Sequence, residues 1–245
     1  MVSLGVMFSY SLGLVKYRYP VFESEEELRN IVYFMLRKLG YHVLVEVPWG
    51  KYRFDLLARK DNEELVVETK NPKHSTNRIA GLAVNQLVTY IATRPKARGL
   101  LILGKPVTSH ILKYMPALMD RNHYRIKNRR ISVGFPIVDN RSNIHLFIVE
   151  NGTTWAKGRT LISLSVTELP KNVRIREIVL SAAQFFDLIF YTLWLQNIHE
   201  WKTIGLDKHL IKLLINEARK RGYIILDNGS IKEPWYYGEV IASER

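Results

Sequence analysis

The 245 residues include no cysteine. Disulfides, zinc fingers and thiolate-held iron–sulfur clusters are therefore excluded, and stability has to come from packing. The Walker loop, the G-x-G-x-x-G turn, the H-E-x-x-H helix and the G-x-S-x-G elbow are missing as well. ATP hydrolysis, dinucleotide redox chemistry, zincin proteolysis and serine hydrolysis thus have no motif to rest on, and a helicase motor would have to come from a partner. The 7 histidines are scattered without ligand spacing. No repeat or low-complexity linker divides the chain, and no lipidation motif is present.

Two apolar stretches could be taken for membrane or export signals. Residues 1–14 lack a basic start, and Val2, Leu4, Val6, Phe8 and Tyr10 alternate as in a strand. Residues 178–198 are long enough to span a bilayer, yet Ser181, Gln184, Asp187 and Tyr191 fall on one helical stripe. Asp187 near the middle would cost about 3 kcal/mol in lipid, so an amphipathic core or dimer helix is expected there. The expectation is a cytoplasmic protein with no membrane partner; a homodimer stays open.

Negative charge is scarce. Lys and Arg number 36 against 23 Asp and Glu, a formal charge of +13. Such an excess supplies the sequence-independent attraction that phosphate backbones reward. The cations cluster at 73–78, 94–98, 121–130, 171–176 and 219–221, with Tyr124 inside the third run. One run alone is a solvated face; several beside a metal site read as a DNA track. A hydrophobic content of 47% is enough for a full core in one elaborated domain or two.

The densest chemical signal is Val66-Val67-Glu68-Thr69-Lys70 with Asp55 upstream. Residues 52–59 and 65–70 read as strands, and Lys60-Asp61-Asn62-Glu63 as the turn between them. With Asp61-Asn62 at the tip, Lys60 faces Glu63 and Asp55 faces Glu68, their side chains about 5 Å apart; with the turn at Asn62-Glu63, Asp55 would face Lys70 and the cluster would survive. Alternation puts Glu68 and Lys70 on one face and Thr69 on the other. Two close carboxylates repel unless a cation lies between them, which is a setting for Mg²⁺; an ammonium beside them could neutralise a phosphoryl group. The competing reading is a surface ion network.

The neighbours narrow the choice. Ser24 followed by Glu25, Glu26 and Glu27 caps a helix whose apolar stripe is Leu28, Val32, Met35 and Leu39, ended by Gly40. A strand at 41–47 leads through Pro48-Trp49-Gly50 into the Asp55 strand. After Asn71-Pro72 come a helix at 77–92 and a strand at 99–103. The order is helix, three strands, helix, strand.

This order, with acids opening the first helix, Asp on the second strand and Glu-x-Lys on the third, resembles the PD-(D/E)XK nuclease superfamily over about residues 22–104. Leu39-Gly40-Tyr41 and the 66–70 strand look like archaeal Holliday-junction resolvases and RecB-like nucleases. Gln86 and Tyr90 are similar to the Q-x-x-x-Y motif of the RecB-like branch; alone, they would equally suit the polar edge of an apolar helix. The resemblance implies an α/β, restriction-endonuclease-like core and a DNA nuclease that hydrolyses phosphodiesters, structure-specific in the resolvase case. It implies Asp55 and Glu68 as ligands to Mg²⁺, with Mn²⁺ substituting and Thr69 joining the metal set. Lys70 would assist attack and Gln86 would orient water or phosphate. The E-x-x-L pattern singles out Glu25 before Leu28, with Glu26 and Glu27 as alternatives. Phe54 replaces the family's Pro, which leaves the Asp55 ligand in place. Tyr90, Lys73, Arg78, Arg125, Lys127, Arg129 and Arg130 are the expected DNA contacts.

Beyond Gly104 the resemblance stops. A helix at 107–119 and strands at 131–138, 144–150 and 160–166 read as a β-rich extension of the same sheet. A helix at 206–221, ended by Gly222, precedes a hairpin around Asp227-Asn228-Gly229-Ser230. The division expected is 1–170 for the nuclease-like domain with its extension, and 171–245 for a helical C-terminal region. That region either closes the core or forms a winged-helix module. The alternative function is a non-catalytic DNA-binding or regulatory protein on the same scaffold.

Overall fold

Helix α1 (Glu25–Lys38) begins and ends where its caps lie. Ser24 Oγ accepts from the Glu27 amide at 3.0 Å, and Glu27 Oε2 reaches back to the Glu23 amide at 2.9 Å. At the other end Gly40 takes φ 85°, and the amides of Gly40 and Tyr41 bond the carbonyls of Arg37 and Leu36. This left-handed stop directs the chain into the sheet. The computed structural model describes residues 9–71, 76–94, 96–105, 131–149, 161–166, 173–186, 208–225 and 231–232.

The architecture is mixed α/β, built on a ten-stranded sheet. Strands β1 (Ser9–Ser11) and β2 (Leu14–Val21) precede α1; β3 (His42–Trp49), β4 (Tyr52–Lys60) and β5 (Glu63–Lys70) follow it. Helix α2 (Thr76–Ala92) leads to β6 (Ala97–Leu103), so the expected helix, three strands, helix, strand is present. Next come β7 (Ile131–Val138), β8 (Ile144–Val149), β9 (Leu161–Val166), β10 (Arg174–Ser181), α3 (Lys208–Lys220) and the small pair β11 (Ile224–Ile225) and β12 (Ile231–Lys232). The sheet runs β1-β2-β7-β6-β5-β4-β3, with β8 on β7, β9 on β8 and β10 on β2. Among the described strands only the β5–β6 and β6–β7 pairs are parallel. The 131–166 strands therefore do extend the sheet.

Each face of the sheet has its own core. Beneath α1, Leu28, Val32, Met35 and Leu36 meet Leu56, Leu65, Val67, Leu100 and Ile102. Beneath α2, Val84, Leu87 and Ile91 meet Phe54, Leu57, Val66, Leu101 and Leu103. Fully burying such a side chain contributes about 1.5–3 kcal/mol. Helix α3 adds Leu210, Leu214 and Ala218 to the second core, so it closes that core. Gly222, at φ 78°, ends α3 as expected.

Two expectations need correction. The first hairpin turns at Gly50 and Lys51, since Trp49 pairs with Tyr52 and β3 includes Pro48. Residues 178–181 are strand, paired with Leu14–Tyr17 of β2, because an apolar run can fill either element. A Ser181–Gln184 reciprocal cap then starts a helical turn at 182. Among the described residues no helix is long and apolar enough to cross a membrane. The helix expected at 107–119, the break near 170–172 and the Asp227–Ser230 turn lie outside the described residues; so do Val2 to Phe8, Asp187 and Tyr191.

Candidate active site

The β4–β5 hairpin fixes the first carboxylate. Pairing runs from Lys60↔Glu63 to Leu56↔Val67, the register set by the Asp61-Asn62 turn, where Asp61 has φ 50°. The next pair would be Asp55 with Glu68, and there the ladder stops. Asp55 Oδ2 instead accepts from the Thr69 amide at 2.7 Å and from Thr69 Oγ1 at 2.8 Å. The carboxylate thus stands in for a ladder carbonyl. Thr69 is fully buried, and its hydroxyl, which was expected to join the metal set, donates to Asp55 and orients it.

Glu68 is 1% exposed. Its Oε1 lies 2.7 Å from Lys70 Nζ, while Oε2 is buried with no hydrogen-bond partner. Burial, then the charge of Asp55, pushes its carboxyl up to about 7 against the pull of Lys70. Lys70 Nζ also meets Glu25 Oε1 at 3.1 Å, which marks Glu25 as the α1 acid at the site. Burial works against the Lys70 charge, but Glu68, Glu25 and Asp55 outweigh it and the ammonium is pushed up to about 12. At neutral pH Lys70 is a fixed cation that donates hydrogen bonds and takes no proton.

Across the site stands α2. Tyr90 is 2% exposed and packs edge-on against Tyr52 at 5.5 Å and Phe54 at 4.8 Å. Its hydroxyl donates to the Arg53 carbonyl at 3.2 Å and accepts from Gln86 Nε2. A ring held this way cannot stack on DNA, and the expected contact is corrected: Tyr90 braces β4 just before Asp55. Gln86, half-buried, hydrogen-bonds Tyr90 and, among the described residues, none of Asp55, Glu68 and Lys70.

Two residues that the sequence did not mark support the end of β5. The Gly104 amide donates to the Lys70 carbonyl at 2.8 Å, and Asn71 Nδ2 donates to the Phe22 carbonyl at 2.8 Å. A Cβ at Gly104 would lie 2.6 Å from Asn71 Oδ1, so any larger residue here would have to displace the Asn71 side chain. The one available signal was Asn71 preceding a proline.

Of the expected DNA contacts, Lys73, Arg125, Lys127, Arg129 and Arg130 lie outside the described residues, and so does the side chain of Arg78. In the 94–98 run the two arginines are engaged within the fold, while Lys96 is exposed. Arg94 pairs with Glu64 at 2.7 Å and lies over the Trp49 ring at 4.5 Å, and Arg98 pairs with Glu63 at 3.2 Å.

Among the described residues, no group of three His, Asp or Glu side chains is placed to hold a metal. Two carboxylates, one with a buried oxygen that nothing satisfies, nevertheless fit a cation that keeps most of its own waters, as Mg²⁺ does. An ion at Oε2 would answer both the orphaned acceptor and the repulsion from Asp55.

No family model matches the chain, and no curated protein matches it. A solved structure of an XisH family protein from Nostoc punctiforme PCC 73102 aligns with 18% identity over 43% of this chain and 88% of that one, at a TM-score of 0.31. The structure of Pyrococcus furiosus SfsA in complex with Ca²⁺ aligns with 15% identity over 54% of this chain and 74% of that one, also at 0.31. Likenesses at this level are similarities only, and neither bears on what the chain does.

Proposed function

We propose that this chain is a Mg²⁺-dependent deoxyribonuclease hydrolysing phosphodiester bonds on a PD-(D/E)XK-type, restriction-endonuclease-like core. The observation that carries the reading is Glu68: a buried carboxylate with an unsatisfied oxygen, its charge opposed by that of Asp55, and bonded to a lysine. Asp55 and Glu68 would hold the cation, which would supply Lewis-acid stabilisation of charge on a phosphate. Lys70, kept cationic by three carboxylates, neutralises the phosphoryl group as negative charge develops on it. Glu25 holds Lys70 from the α1 side, and Thr69 fixes Asp55 through two hydrogen bonds. Tyr90 and Gln86 lock β4 against α2. The charge of +13 supplies attraction to the DNA backbone. A protein that only bound DNA would gain nothing from two carboxylates set against phosphate.

The test is purified protein with Mg²⁺, Mn²⁺, Ca²⁺ or excess chelator on junction, flap, duplex and single-stranded DNA. Cleavage of at least one substrate is expected with Mg²⁺ and Mn²⁺, little with Ca²⁺, and none in chelator. Cleavage that persists in chelator, or no cleavage of any substrate, would remove the reading.

A further inference from the structure

Asp55 sits at a fault in the sheet. On one side its ladder with β5 stops after Leu56↔Val67. On the other, β3 pairs with β4 at Val45↔Leu56 and again at Val47↔Phe54, while Glu46 and Asp55 between them do not pair. The residue offset is the same on both sides of that gap, so no residue has been inserted and this is not an ordinary bulge.

What changes across the gap is the face. Residues two apart on a strand share a face. Yet Val43 and Leu56 belong to the core beneath α1, whereas Val47 and Phe54 pack into the core beneath α2. The pleat of both strands inverts at the Glu46–Asp55 position. Glu46 makes the inversion possible: its φ is 51°, a left-handed conformation costly for a residue with a side chain. Its carboxylate is clamped from two elements, by Arg29 of α1 at 2.7 Å and Arg53 of β4 at 3.3 Å. Arg53 is also the residue whose carbonyl accepts from Tyr90.

We infer that Glu46 is a positioning residue for Asp55. Its left-handed backbone inverts the pleat, so the Asp55 side chain is turned along the sheet toward the Thr69 amide and Glu68. In an uninterrupted ladder that amide would bond a backbone carbonyl. The link to catalysis rests on the nuclease reading above; the link from Glu46 to Asp55 does not.

Glu46→Gly and Glu46→Ala separate the backbone from the ion pairs. Both remove the carboxylate, and they differ in the cost of a left-handed φ. The readouts are hydrogen exchange at the Thr69 amide, with Leu65 and Val67 amides as internal controls, and Mn²⁺ affinity by calorimetry. The glycine variant should keep Thr69 protected and bind Mn²⁺ within a few-fold of the parent. The alanine variant should exchange Thr69 and release Mn²⁺ about tenfold more readily than the glycine variant, the ratio that the left-handed penalty implies. Leu65 and Val67 should remain protected in both, which separates misaiming from unfolding. Equal Thr69 exchange in the two variants would overturn the proposal. A parent protein that binds no Mn²⁺ would defeat the nuclease reading and leave the exchange test standing.

Discussion

Two carboxylates are almost equally buried in this protein, Glu68 at 1% and Asp139 at 3% exposure, and their environments are opposite. Asp139 opens the β7–β8 turn. Its Oδ1 accepts from the Arg141 and Asn143 amides at 2.8 Å, and its Oδ2 meets Asn143 Nδ2 at 2.9 Å and His145 Nε2 at 2.8 Å. Burial alone would push its carboxyl up, but the hydrogen bonds from Asn143, His145 and Arg141 prevail and hold it down at about 2. Glu68 has one lysine, one orphaned oxygen and another carboxylate nearby, and it is pushed up to about 7. A satisfied buried acid holds a turn together. An unsatisfied one destabilises the fold until something binds, as expected of a functional site.

The comparison would break most visibly on substitution of the two acids. Asp139→Ala leaves several buried donors without an acceptor and should destabilise by about 3 kcal/mol or more, read as a fall in urea midpoint. Its cleavage rate per folded molecule should not change. Glu68→Gln should abolish cleavage yet leave the metal-free protein no less stable at pH 8. If Asp139→Ala proved silent and Glu68→Gln unfolded the chain, the two roles would have to be exchanged.

A pH series sharpens the same contrast. The folded state holds the Glu68 proton more tightly than the unfolded chain, about 7 against 4.5. Its contribution to stability is complete below pH 4.5 and is lost as pH rises through 7. Asp139 runs the other way: its contribution is complete above 3.8 and disappears as pH falls toward 2. Glu68→Gln should therefore raise the melting temperature relative to the parent at pH 8, by a few degrees, with the gain absent at pH 4. Added Mg²⁺ should stabilise the parent at pH 8 by a smaller amount, set by its affinity and concentration. It should leave Glu68→Gln unchanged. Differential scanning calorimetry measures both effects. The smallest expected effect is at Gly104→Ala: Asn71 has to give way, so cleavage should fall several-fold through Lys70 while the melting temperature drops by only a degree or two.

The sequence displayed those features whose cause is local. Ser24, Gly40 and Gly222 place helix ends by their own backbone chemistry, and Asp61-Asn62 sets the β4–β5 register. Asp55, Glu68, Lys70 and Glu25 could be found because that register and α1 bring them to one strand end. Features set by distant partners were hidden. Residues 178–181 read as helix because they lead into the polar stripe of Ser181, Gln184, Asp187 and Tyr191, and only pairing with β2 makes them strand. Arg94 and Arg98 read as a DNA patch until Glu64 and Glu63 came within reach. Tyr90 read as a DNA contact until Tyr52, Phe54 and the Arg53 carbonyl enclosed it. The pleat inversion at Glu46 leaves no mark in composition or spacing. Asp139 was legible in principle, since Asp139-Asn140-Arg141-Ser142-Asn143 is dense in turn residues, but nothing showed that His145 would share its carboxylate.

The most direct measurement of the central claim pairs cleavage with binding on Lys70→Ala. Lys70 is the cation between Glu68 and Glu25, and it supplies little of the chain's overall attraction for phosphate. The variant should lose cleavage in Mg²⁺ by about a thousandfold or more, while DNA affinity across a salt series stays within a few-fold of the parent. Cleavage by Lys70→Ala at the parent rate would contradict the account and leave the chain a DNA-binding protein at most.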